Sequence, residues 1–154
     1  MKARLDITKA APEAYAAVAA LDRYVVKESG LEPGLIHLIK IRASQINGCA
    51  YCVDMHVKHA RRDGFGEQWM HMISVWRESP LFTDRERAVL AWTEALTLLP
   101  ESRAEDEYFE PLEQHFSEAE IGKLTVAIAT INVWNRIAVG SRTPHPLDQS
   151  SKAA

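Results

Sequence analysis

Residues 35–64 read LIHLIKIRASQINGCAYCVDMHVKHARRDG, and how this stretch divides decides the fold. Pro33, with a φ already suited to a first helical turn, opens a helix whose apolar positions Leu35, Ile36, Leu38, Ile39 and Ile41 cover more than one face. Asn47-Gly48, two turn formers, interrupt it. A second helix is expected from Cys49 to Arg62, stopping at Gly64. Neither half alternates like a half-buried strand.

The same signals extend outward. A helix starts near Pro12 and ends before Gly30, and a shorter one spans Glu67 to Trp76, closed by Ser79-Pro80. Thr83-Asp84-Arg85-Glu86 is a capping box that leads into a stripe of Ala88, Trp92, Ala95 and Leu99. Residues from Glu105 to His115 read as helix, with Pro111 working against continuity. Ser117-Glu118-Ala119-Glu120 is a second capping box, and the helix it starts, to about Val139, is apolar nearly all round and so expected at the centre. The fold class is all-α. Residues 1–141 are expected as one domain and 142–154 as a disordered tail.

Composition excludes several functions. A length of 154 residues suits one domain, and 47% hydrophobic with 25% charged residues is ordinary for a globular chain. A net charge of −3 with scattered Lys and Arg gives no reason to expect nucleic acid; the tightest basic cluster, Lys58, Arg61 and Arg62, reads as a solvated helix face. The N-terminus has no apolar stretch of signal-peptide length, and LTVAIATINVW is about half what a bilayer needs. Two cysteines are too few for a secreted disulfide framework. The expectation is a cytoplasmic protein without a membrane partner, where C-x-x-C is more often catalytic or metal-binding than structural.

Both cysteines lie in this one stretch. They follow a Gly-containing break at a helix start, where free N–H groups and the positive end of the helix dipole favour a thiolate. His56 follows Cys52 by four residues and Cys49 by seven, so helical periodicity puts all three on one stripe, with Cys52 and His56 as direct neighbours. An imidazole there can take a thiol proton and hold the anion, and the second sulfur can trap a sulfenic acid as a disulfide. Magnitudes limit this. Full ionisation of a thiol of pKa ~8.5 raises the thiolate fraction ~30-fold at pH 7, but the lower pKa weakens the nucleophile ~13-fold, a net gain of ~2-fold. Fast peroxide reduction therefore needs donors for the departing oxygen. Protonated His56, Tyr51 and His37 are the candidates.

With its flanks, the stretch resembles the alkyl hydroperoxidase D-like branch of the carboxymuconolactone decarboxylase superfamily, whose motif is a Glu, eleven residues, then C-x-x-C-x-x-x-H. Similarity continues through VWRESPLFTDRERAVLAWTEAL and AIATINVWNRIAV. The resemblance implies a compact helical fold of about six to seven helices, assembled as a homo-oligomer, often a trimer of dimers. It implies peroxidase or disulfide-reductase activity, with Cys52 reacting with peroxide, Cys49 resolving it and His56 relaying protons. Two positions depart. The family's Glu falls on His37, which can relay a proton but cannot be a permanent anion beside His56, and a histidine that some peroxidase members carry between the cysteines is Tyr51.

Structural alternatives stand beside each of these. The cysteines can be small buried hydrophobes. Zinc is a further alternative through Cys49, Cys52, His56 and either His37 or His59, but the second ligand pair usual for structural zinc is missing. His37 can be a core histidine, Tyr51 a cap on an apolar patch, and His59 solvent-facing. Asn132, Asn135 and Arg136 read as a hydrogen-bonded network between helices, and the four tryptophans as core or interface. The function expected is a thiol-dependent, peroxiredoxin-type antioxidant enzyme without cofactor or metal. Its partners would be a hydroperoxide substrate and an external dithiol protein, either a small redox protein or a lipoyl-type carrier. The alternatives are a thiol–disulfide oxidoreductase with little peroxidase activity, a decarboxylase-like enzyme, against which the cysteine pair counts, and a non-catalytic binding module.

Overall fold

The computed structural model describes residues 2–148. Its helices are α1 (Ile7–Ala10), α2 (Pro12–Arg23), α3 (Pro33–Ile46), α4 (Ala50–Arg62), α5 (Glu67–Met72), α6 (Asp84–Thr97), α7 (Leu99–Ser102), α8 (Asp106–Glu113) and α9 (Glu118–Ser141). A π-helical turn, Tyr24–Glu28, extends α2, and a 3-10 turn, Ile73–Val75, extends α5. No described residue is in a strand. The fold is all-α, as expected; the additions to the expected helices are the four-residue segments α1 and α7.

Local chemistry sets the boundaries. Thr83 Oγ1 accepts from the Glu86 N–H at 3.3 Å while Glu86 Oε2 accepts from the Thr83 N–H at 2.9 Å, and Ser117 with Glu120 repeats the arrangement at the start of α9. Each box satisfies two donors that a helix start otherwise leaves orphaned. α8 bears out the helix read around Glu105 to His115, and it is continuous through Pro111. The proline removes one backbone bond near the end of a short helix, and fully buried Leu112 anchors the turn it occupies.

α3 occupies the middle, packed against α4, α6 and α9. Leu38, Ile39 and Ile41 are fully buried, and Leu35 and Ile36 nearly so. That is why the apolar positions of α3 wrap more than one face. α9 packs on α2, α3, α4, α6 and α8, yet Val126 and Val133, two turns apart, stay 38% and 39% exposed. The helix expected at the centre is therefore open along one side, and α3 is the enclosed one.

The turn from α3 into α4 is tied to α9 by side-chain amides. Asn47 Nδ2 donates to Asn132 Oδ1 and Asn135 Oδ1, both at 2.9 Å. Asn135 Nδ2 donates to Ser44 Oγ, Asn132 Nδ2 to Thr97 Oγ1, each at 3.0 Å, and Arg136 donates to Asn132 Oδ1 at 2.8 Å. This is the interhelical network anticipated for Asn132, Asn135 and Arg136. Gly48 then turns the chain with φ +64; a Cβ there would meet nothing within 4 Å, so the backbone angle alone calls for glycine. Asn135 is 1% exposed, and replacing it removes one hydrogen bond each from buried Ser44 and half-buried Asn47. Asn135→Ala is expected to lower the unfolding free energy by about 1–3 kcal/mol in urea titrations; an unchanged midpoint would mean that the network does not hold the turn.

Candidate active site

Cys49, where the sequence started the helix, lies one residue ahead of its observed first turn. It is the N-cap of α4, in extended conformation, and its Sγ accepts from the Cys52 N–H at 3.3 Å. Its own N–H donates to Ser44 O at 3.0 Å. A disulfide joins Cys49 to Cys52. The pair is buried against Ala138 of α9, with Tyr51 packed alongside. The first turn of α4 thus points the Cys52 N–H at the Cys49 sulfur, a contact that favours negative charge on that sulfur when the bond is reduced.

Cys52 also lines a cavity of about 590 Å³. Tyr51, Met55 and His56 come to the same wall from the next turn of α4, and Trp134, Ile137 and Ala138 from α9. Tyr15 and Asp22 reach it from α2, and Leu5, Asp6 and Ile7 from the N-terminal segment. That segment is held by the Arg4 N–H on Ser141 O at 2.9 Å and by the Arg4 guanidinium on Gly140 O at 3.2 Å. Of the residues expected as a tail, Thr143 and Pro144 line the cavity and Lys58 pairs with Asp148 at 2.8 Å, while 149–154 lie outside the described residues.

His56 is buried, and its Nε2 has no hydrogen-bond partner among the described residues. Burial holds its pKa well below the ordinary 6.5, with Lys40, His59 and His37 adding to the effect. The ring is therefore neutral near pH 7 while the disulfide is closed. Lys40, itself buried, pairs with Asp22 at 2.7 Å, so an ammonium–carboxylate pair stands beside the site.

His37 is placed differently. Its Nε2 bonds Asp63 Oδ2 at 3.0 Å, its ring packs edge-on against Phe65, and it is not among the cavity-lining residues. Burial outweighs the carboxylate and lowers its pKa, while the bond lowers that of Asp63. An ionised carboxylate only accepts, so Nε2 carries the proton and donates it. His59, expected in solvent, is half-buried, edge-on to His56 at 6.0 Å between ring centres. Among the described residues, no three of His, Cys, Asp and Glu converge to hold a metal ion.

Sequence reasoning missed Tyr15, Asp22, Lys40, Met55 and Trp134. Met55 was readable, because Tyr51, Cys52, Met55 and His56 share one helical face. Lys40 gave a signal as well: a lysine within LIHLIKI must find a partner once that helix is enclosed. Tyr15, Asp22 and Trp134 arrive from distant elements and left no local trace.

Residues 12–95 match the model of the carboxymuconolactone decarboxylase family. The chain is 36% identical to the protein YdfG of Bacillus subtilis, over 90% of this chain and 94% of that one. A crystal structure from Agrobacterium tumefaciens, described as of unknown function and a candidate antioxidant-defence protein AhpD, superposes with a TM-score of 0.93. It is 58% identical and covers 96% of this chain and 100% of its own. The debrominase Bmp8 shares the fold at a TM-score of 0.81 and 21% identity, over 90% of this chain and 74% of that one.

The buried histidine has a thermodynamic consequence. An unfolded chain binds a proton on His56 below about pH 6.5 that the folded chain refuses, so the stability held above that pH is lost as pH falls. Each such histidine contributes at most ~1.4 kcal/mol per pH unit. Urea unfolding between pH 7.5 and 5.5 should show this slope, and His56→Gln should remove one histidine's share of it. The same slope in the variant would mean that His56 is not held neutral.

Proposed function

Because the chain belongs to the carboxymuconolactone decarboxylase family, in its alkyl hydroperoxidase D-like branch, we propose that it is a thiol-dependent peroxidase working through Cys52, Cys49 and His56. The observation that carries this reading is the disulfide at the head of α4, of whose two sulfurs' residues Cys52 lines the cavity, beside a buried, uncharged imidazole.

In the reduced enzyme, His56 takes the Cys52 proton, and the thiolate is held by the imidazolium and by the first N–H groups of α4. The sulfur attacks the terminal oxygen of a hydroperoxide. An S–O bond forms, the O–O bond breaks, and the departing alkoxide takes the proton from His56 to leave as an alcohol. Cys49 then attacks the sulfenic sulfur; the disulfide closes and hydroxide leaves as water with the Cys49 proton. An external dithiol restores the pair and is itself oxidised to a disulfide. Attack from the cavity on the Cys52 sulfur would release Cys49 as the leaving thiolate, and the Cys52 N–H that Cys49 already accepts would stabilise it.

A second reading, a thiol–disulfide oxidoreductase, is favoured by that same capped leaving sulfur, which needs no carboxylate at position 37. Single-turnover oxidation by an organic hydroperoxide and by a small disulfide separates the two. Exposed Val126 and Val133 on α9 support association of identical subunits, which sedimentation would register.

Cys52→Ser should abolish hydroperoxide consumption. Cys49→Ser should retain one turnover and accumulate a sulfenic acid that a cyclic 1,3-dione captures. Unchanged turnover in Cys52→Ser would overturn the mechanism.

A further inference from the structure

The cavity beside Cys52 is far larger than a peroxide group requires. At about 590 Å³ it falls in the range that encloses a small organic molecule, so most of it must receive the part of the substrate that does not react. Its walls are specific. Tyr15 and Trp134 meet edge to face, ring centres 5.1 Å apart, and Leu5, Ile7 and Met55 complete an apolar lining.

The charges around it are one-sided. Asp6 and Asp22 line the cavity, whereas no lysine or arginine does among the described residues. Asp6 stays ionised: its Oδ1 accepts from Thr8 Oγ1 at 2.6 Å and from the Thr8 N–H at 3.1 Å, with exposed Lys9 at 3.6 Å. Asp22, paired with Lys40, is a lining residue and Lys40 is not. The Arg4 and Arg136 guanidiniums are engaged with Gly140 and Asn132 and stand outside the lining.

We infer that this cavity is a subsite for the organic body of an uncharged, aryl-bearing hydroperoxide, and that its carboxylate-lined, cation-free wall turns away acidic ones. The inference rests on the peroxidase reading for the word hydroperoxide and on the cavity alone for the rest. A substrate carboxylate entering here would lose its hydration and gain no cation in return, while an aryl ring finds the faces and edges of Tyr15 and Trp134. His56 offers no compensating charge: it is neutral in the closed form, and in the proposed reduced form its imidazolium is already matched by the Cys52 thiolate.

The test uses the oxidised full chain, which cannot turn over, and the alcohols that the reaction would release. Calorimetry at pH 7.5 compares 2-phenylpropan-2-ol with its para-carboxylate, the same skeleton carrying one negative charge. The neutral alcohol is expected to bind at least about tenfold more tightly. Asp6→Asn, which retains a capping side chain for α1, should narrow that ratio. Equal or tighter binding of the carboxylate, no binding of either, or an unchanged ratio in Asp6→Asn would each overturn the inference. A protein that binds the neutral alcohol yet consumes no cumene hydroperoxide when reduced would lose the peroxidase reading and keep the subsite.

Discussion

Burial keeps the His56 ring uncharged, with Nε2 unpartnered among the described residues, on the turn of α4 that follows Cys52. A buried polar atom without a partner costs roughly 1–3 kcal/mol, so a partner gained at Nε2 would stabilise the state that gains it. In the proposed mechanism a thiolate on Cys52, four residues earlier on the same helix, is the partner for this ring. Its negative charge favours the imidazolium, and the imidazolium favours the thiolate, so opening the disulfide and protonating the ring are thermodynamically linked. With the disulfide closed there is no anion to compensate, and Lys40, His59 and His37 all act against a proton on His56. In the proposed cycle the same residue is therefore a waiting base when reduced and an uncharged wall when oxidised.

That arrangement depends on elements far from the sulfurs. Asn47 bridges the end of α3 to Asn132 and Asn135, Gly48 supplies the left-handed turn, and Ala138 of α9 backs the disulfide. α3 can anchor this corner because it is the helix packed against α4, α6 and α9 together. Rigidity at the turn matters because a C-x-x-C pair must place its second sulfur within bonding reach without losing the N-terminal hydrogen bonds of the helix. The Cys49 cap meets both needs, since the sulfur that closes the disulfide also accepts the Cys52 N–H.

Much of this was legible in the sequence, for identifiable reasons. Capping boxes at Thr83 and Ser117 and the Asn47-Gly48 break act locally, so the boundaries they set could be read without knowing the fold. The polar residues of α9 stood out because buried amides require partners, and the network is where they find them. What was illegible depended on distance. That α3 and not α9 is enclosed follows from which helices pack on each, and α9, apolar all round, gives no sign of the side left open at Val126 and Val133. Lys40 and Asp22 meet across eighteen residues of chain, and Tyr15 reaches Trp134 across far more. Cys49 was placed inside the helix because spacing alone does not separate a cap from a first turn.

The most direct measurement of the linked imidazole and thiolate is an NMR titration of the His56 ring in the oxidised and reduced full chain. In the disulfide form the ring should stay neutral to well below pH 6.5. On reduction its pKa should rise, and Cys52→Ser should abolish that rise. A His56 pKa that is the same in both redox states would contradict the account, because the two groups would then not share a proton.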